Sequence, residues 1–130
     1  MSEGTRLYHA SCHCGCVRFR FRSEQITEGR RCNCSICVRK GIVISPRYYQ
    51  PAQIENLEAE SFLTVYRFGD KDVNHHFCRI CGICPFSTVA KIPPTYTGPA
   101  RPGDYRINLG CVQELDVYAL DIQVIDGRSF

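Results

Sequence analysis

Apolar and polar residues alternate most clearly over Cys16–Arg22, where Val17, Phe19 and Phe21 fall on one face and Arg18, Arg20 and Arg22 on the other. A period of two with one charged face predicts a half-buried β-strand. Shorter apolar runs predict further strands over Gly41–Pro46, Phe62–Phe68, Val73–Cys78, Phe86–Ala90, Tyr105–Leu109 and Tyr118–Ile125. Gly69-Asp70-Lys71-Asp72 reads as the hairpin turn between two of them. Helical spacing is weak throughout. Ser35 is placed to cap a short helical turn over Ile36–Lys40 that stops at Gly41. Residues 92–103, I-P-P-T-Y-T-G-P-A-R-P-G, cannot continue a sheet and predict a rigid surface loop or a wall over a site. The pattern predicts a mostly β fold of small antiparallel sheets with little helix, in one domain over residues 1–130.

Many short strands leave limited core volume, which metal crosslinks would offset. The chain has the cysteines for that: ten, with no tryptophan. Cysteine at this density serves either a secreted disulfide scaffold or thiolate–metal coordination. Met-Ser-Glu-Gly-Thr-Arg has no basic stretch followed by an apolar one, so no secretory signal is visible. No apolar run approaches the ~20 residues that span a bilayer. The expectation is a cytoplasmic protein, without membrane attachment, whose thiols stay reduced.

The cysteines fall into three clusters, Cys12-His13-Cys14-Gly15-Cys16, Cys32-Asn33-Cys34-Ser35-Ile36-Cys37 and Cys78-Arg79-Ile80-Cys81-Gly82-Ile83-Cys84, with Cys111 alone. Residues two or three apart on a turn can aim sulfurs at one point about 2.3 Å away, as zinc requires. The same spacing suits disulfides poorly. Cys12 and Cys14 with Cys78 and Cys81 would complete a closed four-sulfur site. Cys32, Cys34 and Cys37 would then form a three-sulfur site, either open as in catalytic zinc or closed by His75, His76, Cys84 or Cys111. Spacing alone does not choose between these.

Charge adds one consideration. Residues 1–50 hold nine Lys/Arg against three acids (+6), and residues 51–130 hold seven against ten (−3). Arg30, Arg31, Arg39 and Lys40 flank the second cluster, where they would neutralise thiolate charge or hold the carboxylates of an acidic thiol.

The order C-H-C-G followed by V-R-F, then C-N-C-S-x-C, H-x-F-C-x-x-C-G, a proline-rich loop, I-N-L-G-C and D-G-R-S-F resembles the glutathione-dependent formaldehyde-activating enzyme family and its centromere protein V branch. The resemblance implies an Mss4-like tent of small sheets and two Zn2+ per chain. It places structural zinc on Cys12, Cys14, Cys78 and Cys81, and a second, catalytic zinc on Cys32, Cys34 and Cys37. It implies a carbon–sulfur lyase joining glutathione to formaldehyde as S-hydroxymethylglutathione, or the reverse. Cys16 and Cys84 depart from the family pattern as extra thiols, read here as buried or free. His13, His75 and His76 are candidates for proton transfer or, more simply, hydrogen-bonded structural residues. The rival reading is a non-enzymatic zinc module; neither an aromatic RNA motif nor C2H2 finger spacing is present to favour nucleic acid.

Overall fold

The structure, a computed structural model, describes residues 4–55, 57, 60–69 and 71–129. Three small sheets account for its strands. In the first, β1 (Thr5–Ser11) pairs antiparallel with β2 (Arg18–Glu24), which pairs antiparallel with β4 (Ile54–Glu55). The largest sheet is antiparallel and runs in the order β5 (Leu63–Tyr66), β6 (Val73–Cys78), β7 (Phe86–Val89), β8 (Tyr105–Ile107). The last pair is parallel, β3 (Glu28–Cys32) with β9 (Asp121–Ile125). One short helix, α1 (Ser35–Lys40), follows β3.

The alternation expected over Cys16–Arg22 buries the predicted face, although the strand β2 starts only at Arg18 and Cys16 and Val17 belong to the turn before it. Val17, Phe19 and Phe21 are buried while Arg18 and Arg22 stay exposed. β1 lays Tyr8 opposite Phe21 and Ala10 opposite Phe19, so one face of the pair is continuous with the core. Phe19 meets Phe86 of β7 edge to face at 5.5 Å, which joins the first sheet to the largest. Phe21 packs on Tyr49 at 5.1 Å, and the buried Tyr49 hydroxyl shares a 2.8 Å hydrogen bond with Ser23. Burying each such apolar side chain stabilises by roughly 1.5–3 kcal/mol, and leaving the hydroxyl unpaired would cost a comparable amount.

Several expected boundaries move. Gly41–Pro46 is not a strand: only Ile44 bridges, to Arg30 on one side and Asn108 on the other. That residue ties β3 to the segment after β8, and a tie needs two hydrogen-bonded edges at one point, not a run. The strand expected over Phe62–Phe68 shortens to β5 because residues 60–62 wind into a 3-10 turn. Those expected over Tyr105–Leu109 and Tyr118–Ile125 lose an end to 3-10 turns at Leu109–Cys111 and Val117–Ala119. Asn108 and Asp116 cap these turns by accepting from Gly110 N and Tyr118 N. Val73–Cys78 is a strand as expected, and Phe86–Ala90 ends one residue early. Ser35 is the first helical residue and not the cap; Cys34 holds the N-cap position, and Gly41 closes the helix at φ 66°. Of the expected hairpin turn, Asp70 lies outside the described residues; Lys71 N donates to Phe68 O at 2.9 Å. Residues 92–103 form a loop of turns without strands. No helix among the described residues is long and apolar enough to cross a membrane.

Candidate metal centres

Two tight turns face each other across the junction of the first and largest sheets. The turn from β1 to β2 carries Cys12 and Cys14, and Gly15 at φ 86° lets it double back, with Cys12 N donating to Val17 O at 2.9 Å. The turn after β6 carries Cys78 and Cys81, with Gly82 at φ 80° and Gly82 N donating to Cys78 O at 2.8 Å. All four sulfurs lie within 4.8 Å of one another. Cys14 Sγ stands 3.7 Å from Cys12 Sγ and 3.6 Å from Cys78 Sγ. A tetrahedron of thiolates about 2.3 Å from zinc has edges of about 3.8 Å, so these residues fit the ion.

Backbone amides point at the sulfurs as well. Val17 N donates to Cys12 Sγ at 3.3 Å. Burial pushes the Cys81 thiol up, but hydrogen bonds from the Cys14 and Ile83 backbones outweigh it and bring it down to about 6. Cys78 is lowered against the same burial by the Cys81 and Ile80 backbones. Burial pushes Cys12 up to about 11. Four neighbouring thiols cannot all ionise unaided; a dication among them removes that conflict.

The second cluster is built differently. Cys32 ends β3, Cys34 is the N-cap of α1 and Cys37 lies on the helix itself. Their sulfurs lie within 4.8 Å of one another. Among the described residues, no further cysteine, histidine or carboxylate brings a ligand atom within that distance of all three. The candidates for a fourth position are each engaged elsewhere. His75 Nδ1 is 3.0 Å from Lys40 Nζ, and His76 Nε2 is 2.8 Å from Thr88 Oγ1. Cys84 is buried, its thiol directed to Phe86 O and approached by Lys40. Cys111 is pushed up to about 12 by burial and by the neighbouring Cys84, Cys12 and Cys81 thiols, on the side of the first centre. Burial likewise raises Cys37 to about 12, although Lys40 opposes it. His13 and Cys16 flank the first centre without joining it: His13 is exposed, and Cys16 lines a shallow cleft with His9 and Arg18.

Basic residues around the second cluster divide. Arg30 pairs with Glu28 at 3.2 Å, Arg31 is exposed, and Arg39 donates back to Ser35 O at 3.0 Å. Lys40 alone reaches across to β6.

One wall of this centre escaped sequence reasoning. After β9 the chain passes directly over the cluster. A Cβ placed on Gly127 would stand 2.2 Å from Cys32 Sγ and 3.2 Å from Cys34 Cβ. Asn33 holds that passage in place: its Nδ2 donates to Asp126 Oδ1 at 2.9 Å, and its Oδ1 accepts from Arg128 N at 2.8 Å. Asn33 N also donates to Ile125 O at 3.1 Å. The signal was present in the Asp126-Gly127 pair and in the asparagine set between two cysteines, but neither announces its partner.

Residues 7–123 match the family model of the glutathione-dependent formaldehyde-activating enzyme. The chain belongs to that family. All seven sulfurs of the two candidate centres lie inside the matched span of this formaldehyde-activating enzyme family member, while the Gly127 wall lies beyond it. A crystal structure of a Rhodobacter sphaeroides protein shares its fold, with a TM-score of 0.67 at 23% identity over 88% of this chain and 99% of that one.

Proposed function

We propose that this family member is a zinc-dependent carbon–sulfur lyase that joins a small thiol, glutathione by family, to formaldehyde and runs the reverse reaction. Cys12, Cys14, Cys78 and Cys81 would hold a structural ion, and Cys32, Cys34 and Cys37 a second one. The observation that carries the reading is the unequal count: four sulfurs gather at the first centre, while three gather at the second with no fourth protein ligand beside them among the described residues. Zinc held at the second centre would supply an open position where an incoming thiol loses its proton near neutral pH.

The chain's own contribution is shape and charge. Cys34 is fixed as the N-cap of α1, Cys37 lies within that helix, and Cys32 is fixed by a strand paired to β9. Gly127 contributes by having no side chain, which leaves Cys32 Sγ its place against the tail. In the reaction, the thiol sulfur bonds to the carbonyl carbon, and the carbonyl π pair moves to oxygen. That oxygen takes up the proton the thiol gave, so no hydrolytic water and no redox partner is needed. Holding the two reactants together accounts for rate without a protein nucleophile.

Metal counting with thiol titration tests this. The expected result is two zinc ions per chain, one of them exchangeable, with glutathione binding that disappears when the exchangeable ion is removed. A second zinc that neither exchanges nor takes up thiols overturns the enzyme reading in favour of a structural module.

A further inference from the structure

Helix α1 sets Lys40 one turn beyond Cys37, and residues three apart share a helix face. Lys40 is half-buried, and its ammonium is caught between two groups of the largest sheet's β6–β7 region. His75 Nδ1 is 3.0 Å away and Cys84 Sγ 3.8 Å away. His75 is 5% exposed, and burial, Lys40 and then His76 bring it down to about 4, so it accepts from Lys40 as a neutral ring. Cys84 is buried, and its thiol is raised by that burial. Both acceptors are therefore uncharged.

Among the described residues, no carboxylate meets this cation. None of the six ion pairs among the described residues involves Lys40. An ammonium carries three donors, and His75 and Cys84 use two. Lys40 acts on the cluster through its charge, which lowers Cys37 against its burial, and its hydrogen bonds go to His75 and Cys84. Beside it, Phe68 stacks on His75 at 5.9 Å and Tyr66 on Phe68 at 5.8 Å, and both rings are partly exposed. The result is a fixed cation at the edge of an apolar shelf, one helical turn from a three-sulfur centre and without a carboxylate partner among the described residues.

We infer that Lys40, positioned by His75 and Cys84, is an anion-binding site that holds a carboxylate of the thiol substrate. It thereby selects acidic thiols over uncharged ones. This rests on the thiol reading above and deepens it. Arg39, its neighbour in sequence, is excluded from the role because its guanidinium turns back to Ser35 O.

The test uses the full chain loaded with zinc. Glutathione, which bears two carboxylates, and 2-mercaptoethanol, which bears none, are titrated calorimetrically into wild type, Lys40→Gln, Lys40→Arg and Arg39→Gln. Zinc content is measured on each. The expected result is that Lys40→Gln keeps its zinc, weakens glutathione about tenfold or more, and leaves 2-mercaptoethanol unchanged. Lys40→Arg should recover part of the loss, and Arg39→Gln should behave as wild type. The His75 imidazole resonances should move on adding glutathione and stay still with 2-mercaptoethanol. Equal losses for both thiols, no loss for either, or lost zinc would overturn the inference and leave the thiol reading standing. Wild type that binds neither thiol refutes that reading, and this one with it.

Discussion

Replacing Gly127 by alanine adds one methyl group at the point where the tail crosses the second cluster. Its backbone is not in the left-handed region, so the substitution carries no conformational penalty of its own. Space alone forbids it. The new Cβ would sit 2.2 Å from Cys32 Sγ, whereas non-bonded heavy atoms rest at about 3.5–4.0 Å. Something must yield by about 1.5 Å, many times the ~0.2 Å tolerance of a metal–sulfur bond. Two outcomes are available. If the sulfur yields, the cluster loses one ligand of three. If the tail yields, the bonds of Asn33 to Asp126, Arg128 and Ile125 break, each worth about 1 kcal/mol. Overpacking of this kind costs about 1–3 kcal/mol, which at this chain length lowers Tm by roughly 4 °C per kcal/mol. Zinc counting, chelator competition and a circular-dichroism melt read both outcomes. Gly127→Ala is expected to keep the first ion, to release the second at least about tenfold more readily, and to melt several degrees earlier. Arg128→Ala removes only an exposed side chain, since Asn33 accepts from its backbone N–H, and serves as the control. A Gly127→Ala protein with two firmly held ions and an unshifted melt would show that the tail does not press on Cys32.

The two centres should separate under single substitutions. Cys81→Ser is expected to cause cooperative unfolding at markedly lower temperature, because a four-sulfur zinc contributes folding free energy directly. Cys37→Ser should retain most of its far-ultraviolet signal and melting temperature while losing thiol binding; equal collapse of both variants would refute the division of roles. His75 should stay neutral down to about pH 4 when its ring is followed by NMR in the zinc-loaded chain. Because the unfolded chain takes up that proton near pH 6.5 and the folded one does not, this residue's contribution is present above that pH and is lost as pH falls toward 4. A ring titrating near 6.5 would contradict the burial seen here.

Much of this architecture was legible because it is local. The Val17/Phe19/Phe21 alternation needs only its own neighbours to be understood, and β6 and β7 read the same way. Cluster spacing likewise marks where sulfurs converge. β3 was not legible: Glu28-Gly-Arg-Arg-Cys32 has no apolar alternation, and it is a strand because β9, ninety residues later, pairs with it. β1 was missed for a milder reason, since Tyr8 and Ala10 are its only buried residues and Leu7 breaks the pattern. Lys40 lay among four basic residues of equal standing, and only the reach to His75 distinguishes it. That reach is a fact of the tertiary fold, as is the contact between Gly127 and Cys32.

The parallel pairing of β3 with β9 also sets an order of assembly. Sulfurs of the first centre come from residues 12–81, so a nascent chain can gather them while its last third is still being made. The second centre has all its thiols by residue 37 but acquires its wall only when residues 121–127 emerge and join β3. Until then those three early thiols are uncovered on a growing chain, and closing them in is among the slow, long-range events of folding.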